Sequence, residues 1–178
     1  MTIFRFLPSY SFNQATLSFL PYRFGQSAGP LLPPMEDMIM TTLNASQADT
    51  ATVGRLLLGT LFLFSGIGKL AAPAATMGYI GSVGMPFPLL AYLGAIGVEV
   101  GLASLLLVGY KTRWVAAIMA GFTLMTAVVF HNNLADQNQL IHFLKNIAIT
   151  GGLLQVVAFG SGVFSLDGAL SKRRLALA

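Results

Sequence analysis

The sequence contains no cysteine among its 178 residues. The chain itself therefore forms no disulfide bond, binds no iron–sulfur cluster through thiolates and carries out no thiol chemistry. Charged residues are also scarce: they make up 9% of the chain, whereas about 25% is typical of a soluble domain. Hydrophobic residues supply 55%, and this balance indicates an integral membrane protein.

Acidic residues are fewer than basic ones, and the formal net charge is +4. A basic balance is sometimes a sign of nucleic-acid binding. Here, however, most of the lysines and arginines lie near the ends of apolar segments, where membrane topology accounts for them. We predict contact with the lipid bilayer and no nucleic-acid partner.

The first 50 residues contain no apolar run long enough to cross a membrane. Residues 1–34 carry several prolines, two arginines and no acidic residue, without a clear hydrophobic period. They lack the apolar region and small-residue cleavage site of a secretory signal. We predict a poorly ordered extension, with Met35, Met38 or Met40 as a more natural start, followed by a short surface helix or linker over 36–51.

Four apolar segments of membrane length follow, over residues 52–71, 88–109, 114–131 and 140–160. Pro73 and the run GSVGMPFP predict an irregular connection after the first segment. The predicted fold is all-α, an integral membrane four-helix bundle with an irregular or disordered N-terminal extension. The predicted domains are an extension over 1–50, a membrane domain over 51–170 and a basic cytoplasmic tail over 171–178.

The distribution of basic residues predicts the orientation. With four spans, both termini and the second loop share one side of the membrane. That side carries most of the basic residues, namely Arg55, Lys111, Arg113 and residues 172–174. The positive-inside rule places it in the cytoplasm of a bacterial cell, at the inner membrane.

Glu99 lies at the centre of the second segment, where a carboxylate is costly unless it is paired, protonated or turned towards the bundle interior. Helical spacing places six residues on its face: Tyr92, Ala95, Ile96, Leu102, Ala103 and Leu106. A basic partner is expected, with Lys145 as the better candidate and Lys69 as the other. Gly97 and Gly101 lie on the opposite face, where they are expected to seat another helix.

The other polar residues gather near the outer ends of the spans, and one pocket open to the outer surface would hold them. Glu99 and His131 are the candidate proton acceptors of this pocket. The candidate residues for binding a quinone or an anion are Lys69, Tyr92, His142, Lys145 and Asn146. No cofactor other than a quinone is indicated, and no metal site is expected.

Simpler interpretations remain open for these residues. Lys69 and Lys145 would also reach the interface by snorkelling, and Glu99 with a lysine would also serve as a structural ion pair. His131 at a helix end is often a cap or an interfacial residue. His131 and His142 on neighbouring helices leave room for a haem with two histidine ligands.

Several motifs taken together resemble the DoxX family of small bacterial membrane proteins. They are GRLLLGTLFLFSGIGKL, GMPFP, VEVGLASLLLVGYKTR, the FH pair at 130–131 and FLKNIAITGGLLQVVAFGSGVFSLD. The resemblance covers about residues 52–168 and implies four membrane helices. It also implies an association with quinone-linked or thiol-stress oxidoreductase complexes. The positions that it carries over are Lys69, Glu99, His131, Lys145 and Asn146.

Two classes of function follow. In the first, the protein is a membrane subunit of a quinone-linked oxidoreductase or redox complex: Glu99 or His131 accepts a proton from a quinol, and the lysines bind an anionic group. Electrons would then need a partner or a bound quinone. The candidate partners are a quinone or quinol, a soluble or membrane redox partner, and a second copy of the chain in a homo-oligomer. In the second, the protein is a non-catalytic membrane component that binds a lipid-like ligand, conducts protons or scaffolds a complex.

Overall fold

The computed structural model describes residues 35–162 and 164–177, apart from the side chains of 36–48. The extension predicted over 1–34 lies outside the described residues. The described helices are α1 Met35–Ala71, α2 Pro73–Ser82, α3 Pro88–Val108, α4 Thr112–Phe130, α5 Gln137–Phe159 and α6 Leu166–Ala176. Within α3, the stretch Gly97–Leu102 is a π-helix.

Four stretches of these helices are long and apolar enough to cross a membrane, and they confirm the predicted all-α membrane fold. They are Asp49–Ala71 in α1, Pro88–Val108, Thr112–Phe130 and Gln137–Phe159. Large apolar side chains on their outer faces are exposed, including Phe64 at 80% and Leu57 at 68%. In a membrane these side chains contact lipid, which is as apolar as they are.

Two short helices lie outside the spans, and neither was predicted. The helix α2 begins with Pro73 at its first position, where the missing N–H of proline costs nothing. The helix α6 is capped by Ser165, whose hydroxyl accepts the Gly168 N–H at 3.1 Å. Neither helix contains a long apolar run, because prolines flank α2 and basic residues lie within α6. Apolar length therefore does not predict either of them.

A stripe of six residues, polar or small except for one phenylalanine, runs along the inner face of α1. Its members are separated alternately by three and four residues, which keeps them on one face of a helix. They are Thr52, Arg55, Gly59, Phe62, Gly66 and Lys69. All except Lys69 are buried, so this stripe is the face that α1 turns towards the bundle.

The stripe packs against α3 in an antiparallel register. A Cβ atom at Gly66 would lie 2.7 Å from Val100 Cγ2 and 3.1 Å from the Glu99 backbone, and one at Gly59 would lie 2.8 Å from Leu107. Glycine at both positions therefore lets the two backbones approach closely. The expectation for Gly97 and Gly101 is wrong, because a Cβ at either would meet nothing within 4 Å.

Arg55 ties the ends of several helices together. Only 1% of this residue is exposed, and its guanidinium donates to the backbone carbonyls of Leu106, Leu107, Ser161 and Phe164. The first two carbonyls belong to the last turn of α3, where regular helical partners run out, although the Leu106 carbonyl also accepts the Gly109 N–H at 3.2 Å. Arg55 is thus a structural link as well as one of the basic residues on this side, and we call this end of the bundle the Arg55 end.

Asp167 completes the Arg55 end. Its carboxylate accepts the backbone N–H groups of Lys111 and Thr112 and the Thr112 hydroxyl, each at 2.8 Å, and so caps the start of α4. Partial burial favours the neutral acid. Hydrogen bonds from Thr112 and Lys111, together with the charge of Arg55, outweigh that burial and hold the pKa of Asp167 below its usual value.

Gly109, between α3 and α4, has the left-handed φ of 71° that glycine adopts without strain. A Cβ there would lie 2.5 Å from Ser165 Cβ and 3.1 Å from an Arg55 guanidinium nitrogen. The Gly109 carbonyl also accepts the Asp167 N–H at 2.9 Å. The tight turn and the Arg55 link therefore depend on the same glycine.

Candidate functional site

Lys69 and Glu99 form an ion pair between α1 and α3. The Lys69 ammonium lies 2.9 Å from Glu99 Oε1 and 2.7 Å from Oε2. It also donates to the Ser65 hydroxyl at 2.9 Å, so all three of its hydrogens have an acceptor. The side chain of Glu99 is 8% exposed and that of Lys69 is 30% exposed, so the carboxylate is the more enclosed member of the pair.

The direction of the two helices explains this pairing. Side chains on a helix tilt towards its N-terminus. Lys69, in the last turn of α1, therefore leans back into the membrane. Glu99, about 16 Å along α3 from its start, leans towards the end at which α3 begins. Because the helices are antiparallel, the two side chains tilt towards each other.

The expectation that Lys145 is the better partner of Glu99 is wrong. Lys145 is exposed on α5. Its helix begins at the same end of the bundle as α3, so its side chain leans towards that end, in the direction away from a carboxylate deeper in the membrane. No hydrogen bond or ion pair of Lys145 is present in the described part of the chain.

The backbone around Glu99 is also unusual, because the residue lies inside the π-helical stretch Gly97–Leu102. A π-helical turn is rare and is found frequently at functional sites. Of the face predicted for Glu99, Tyr92, Ala95, Ala103 and Leu106 are buried, whereas Ile96 and Leu102 are half-buried. The bundle therefore turns the Glu99 face inwards and accommodates an irregular backbone at that level.

The two histidines form a separate group near the loop between α4 and α5. Their rings stack with centroids 5.0 Å apart and an angle of 17° between the planes. His131 Nδ1 lies 2.9 Å from Gln139 Oε1. Rings that lie face to face at this distance leave no room for a haem between them, so this geometry does not support the interpretation as two haem ligands.

The predicted pocket is thus divided. Lys69, Glu99 and Ser65 form one hydrogen-bonded group, and His131, His142 and Gln139 form another, with Lys145 one turn beyond His142. Tyr92 is buried on the Glu99 face. The backbone carbonyl of Asn146 accepts a hydrogen bond from the Thr150 hydroxyl. No hydrogen bond between the described residues joins the two groups.

A groove of about 1280 Å³ lies away from the ion pair, at the Arg55 end. It lies between α1 and α5, its surface is mostly apolar, and Arg113 and Lys172 are among its lining residues. The sequence did not indicate it, since a groove between two helices depends on how they diverge. Among the described residues, no group of three or more His, Asp or Glu side chains is placed to hold a metal ion.

The fold and the ion pair define a class: a multi-pass membrane protein of four helices with a carboxylate and a lysine paired inside the membrane. The comparison with known families agrees. The DoxX family model matches residues 50–132, and the resemblance to two curated proteins extends further along the chain. The chain belongs to the DoxX family.

Two inner membrane proteins of Escherichia coli K12 are similar in sequence to this chain. Inner membrane protein YqjF is 38% identical over 121 residues, which cover 68% of this chain and 92% of that protein. Inner membrane protein YphA is 33% identical over 120 residues, which cover 65% of this chain and 86% of that protein. Together with the four spans, these similarities support a multi-pass protein of the inner membrane. No solved structure matches the chain significantly.

Proposed function

We propose that the protein is a membrane subunit of a quinone-linked oxidoreductase, and that the Lys69–Glu99 pair is its proton-exchanging quinol site. The observation that carries this proposal is the ion pair itself, whose carboxylate lies inside a span and within a π-helical stretch. Ionisable residues within membrane spans are costly, and they commonly mark substrate or proton pathways. The π-helical stretch that contains Glu99 supports the proposal, because such turns are frequent at functional sites.

The chemistry is a proton transfer coupled to electron transfer elsewhere. Oxidation of a quinol to a quinone releases two protons and two electrons. Glu99 accepts one proton from the quinol hydroxyl, and the other passes to water at the Lys69 end. The Lys69 ammonium stabilises the negative charge that develops on the quinol oxygen. The electrons pass to a redox partner protein that carries its own redox centre.

The test is to measure quinone bound to the full-length protein purified in mild detergent. We expect extraction to yield quinone from the wild type, and Glu99→Gln to bind it about tenfold more weakly, because a charged hydrogen-bond partner is lost. Asp136→Asn is the matched control, since it also converts a carboxylate to an amide but keeps a good cap for α5. Absence of quinone from the wild type, or equal retention by both variants, would refute the proposal.

The second candidate is a non-catalytic membrane component. One observation favours it: the pair is fully satisfied, with both Glu99 oxygens and all three Lys69 hydrogens engaged. Such a pair would hold α1 against α3 without any ligand. Wild-type protein that is stable but carries no quinone would favour this alternative.

We also propose that both termini lie in the cytoplasm. The Arg55 end carries Lys111, Arg113 and the basic residues of α6, whereas the opposite end carries Lys69 and Lys145. Basic residues near span ends are enriched on the cytoplasmic side. A phosphatase reporter fused after Ala178 should therefore be inactive and a green fluorescent protein there should be fluorescent. The reverse pattern would invert the orientation.

A further inference from the structure

The groove at the Arg55 end has the dimensions and lining of a site for an amphiphile. One wall is α1, through Gly54, Leu57 and Leu58, and the other is α5, through Val156 and Phe159. The helices meet where a Cβ at Gly152 would lie 3.5 Å from Leu58. Its volume, about 1280 Å³, exceeds the roughly 300–1000 Å³ of pockets for small molecules.

The groove also adjoins the lipid-facing surface of the bundle. Leu57 and Phe159, which line it, are 68% and 69% exposed. Its α1 wall lies in the first part of the span Asp49–Ala71, so the groove is confined to the leaflet at the Arg55 end. A lipid of that leaflet can therefore enter it sideways, without crossing an aqueous phase.

Its charge is positive where a headgroup would lie. Arg113 and Lys172 line the groove, and neither forms an ion pair with any described residue. Asp167 also lines it, but its carboxylate is held by Lys111 and Thr112 and faces the charge of Arg55. The two cations that line the groove are therefore available to an anionic group from outside the chain.

We propose that this groove binds an anionic phospholipid, with the phosphate between Arg113 and Lys172 and an acyl chain along the apolar walls. Arginine and lysine are the usual partners of phosphate, and basic pockets between membrane helices bind anionic lipid headgroups. The site is separate from the Lys69–Glu99 pair and does not depend on the function proposed for it.

The test uses the full-length protein in detergent and counts bound lipid by native mass spectrometry. The probes are phosphatidylglycerol, phosphatidylethanolamine with the same acyl chains, and inorganic phosphate. We expect selective retention of phosphatidylglycerol and no retention of phosphate alone. Removing both cations, in Arg113→Gln with Lys172→Gln, should weaken binding about 10- to 30-fold, since each contributes about 1 kcal/mol near a charged lipid.

Two control variants separate the groove from general effects of charge and bulk. Arg173→Gln with Arg174→Gln removes the same charge from exposed positions of α6 that do not line the groove. Gly54→Leu fills the groove, whereas Gly151→Leu adds the same bulk outside it; both glycines have open space around them. We expect lipid to be lost from the two groove variants, Arg113→Gln with Lys172→Gln and Gly54→Leu, and to be retained by the two controls.

Three outcomes would overturn the proposal. Equal loss in both pairs of charge variants would mean that lipid is attracted by the surface as a whole. Equal retention of the two phospholipids would mean that the groove does not select an anion. A dimer that dissociates on Gly54→Leu but not on Gly151→Leu would assign the groove to a second copy of the chain.

Discussion

Replacing Arg55 with methionine is expected to lower the free energy of unfolding by at least about 3 kcal/mol, because four buried or partly buried carbonyls lose a charged donor at once. Two of these carbonyls end α3, and the others lie in the segment between α5 and α6. The loss should therefore loosen the Arg55 end as a whole. The midpoint of thermal unfolding in detergent measures it.

Arg55→Lys provides a stricter comparison, because it keeps the charge but not the planar fork of donors. We expect it to recover only part of the lost stability. Arg173→Met is the control, since Arg173 is exposed on α6 and its replacement should change stability by about 0.5 kcal/mol or less. If Arg55→Met were no more harmful than Arg173→Met, the structural role of Arg55 would be disproved.

Breaking the Lys69–Glu99 pair from either side is expected to cost about 3–5 kcal/mol, because the remaining partner is left charged and unpaired inside the bundle. Lys69→Met should strand the carboxylate, which is the more enclosed of the two, and Glu99→Gln should strand the ammonium. The double variant removes both charges and should recover much of the loss. Thermal unfolding of the four proteins completes the double-mutant cycle.

Lys145 supplies the control for this cycle. Lys145→Met removes a lysine from the same half of the membrane, but Lys145 is exposed, and the ion pair of Glu99 among the described residues is with Lys69. Its effect should add to that of Glu99→Gln, whereas Lys69→Met should show a coupling free energy of about 3 kcal/mol or more, at or above the top of the usual range of about 0.5–3 kcal/mol. Additivity for Lys69, or coupling for Lys145, would contradict the assigned pair.

The sequence predicted the spans well because apolar length alone defines them. Helical spacing also predicted most of the buried face of α3: Tyr92, Ala95, Ala103 and Leu106 are buried, whereas Ile96 and Leu102 are half-buried. The partner of Glu99 does not follow from apolar length or helical spacing within one segment. It depends on which helices touch and on the direction in which their side chains lean. Because side chains on a helix tilt towards its N-terminus, Lys69 on an antiparallel span leans towards Glu99 and Lys145 leans away from it. This tilt favours Lys69 over Lys145 as the partner.

One further signal was present in the sequence. The alternating spacing of Thr52, Arg55, Gly59, Phe62 and Gly66 marks the packed face of α1, and it places Arg55 and Lys69 on that face. Counting Arg55 only as a topological charge overlooked this spacing. The π-helical stretch and the groove beside α5 could not be predicted in this way, because both result from how whole helices fit together.

The most direct test of the central claim is the quinone content of the Lys69→Met and Glu99→Gln double variant. In that protein the ion pair is gone but stability is expected to be largely restored, so a loss of ligand cannot be attributed to unfolding. The proposed function predicts a folded protein that binds quinone about tenfold more weakly than the wild type, as for Glu99→Gln alone. A double variant that unfolds like the wild type and retains the wild-type amount of quinone would contradict it.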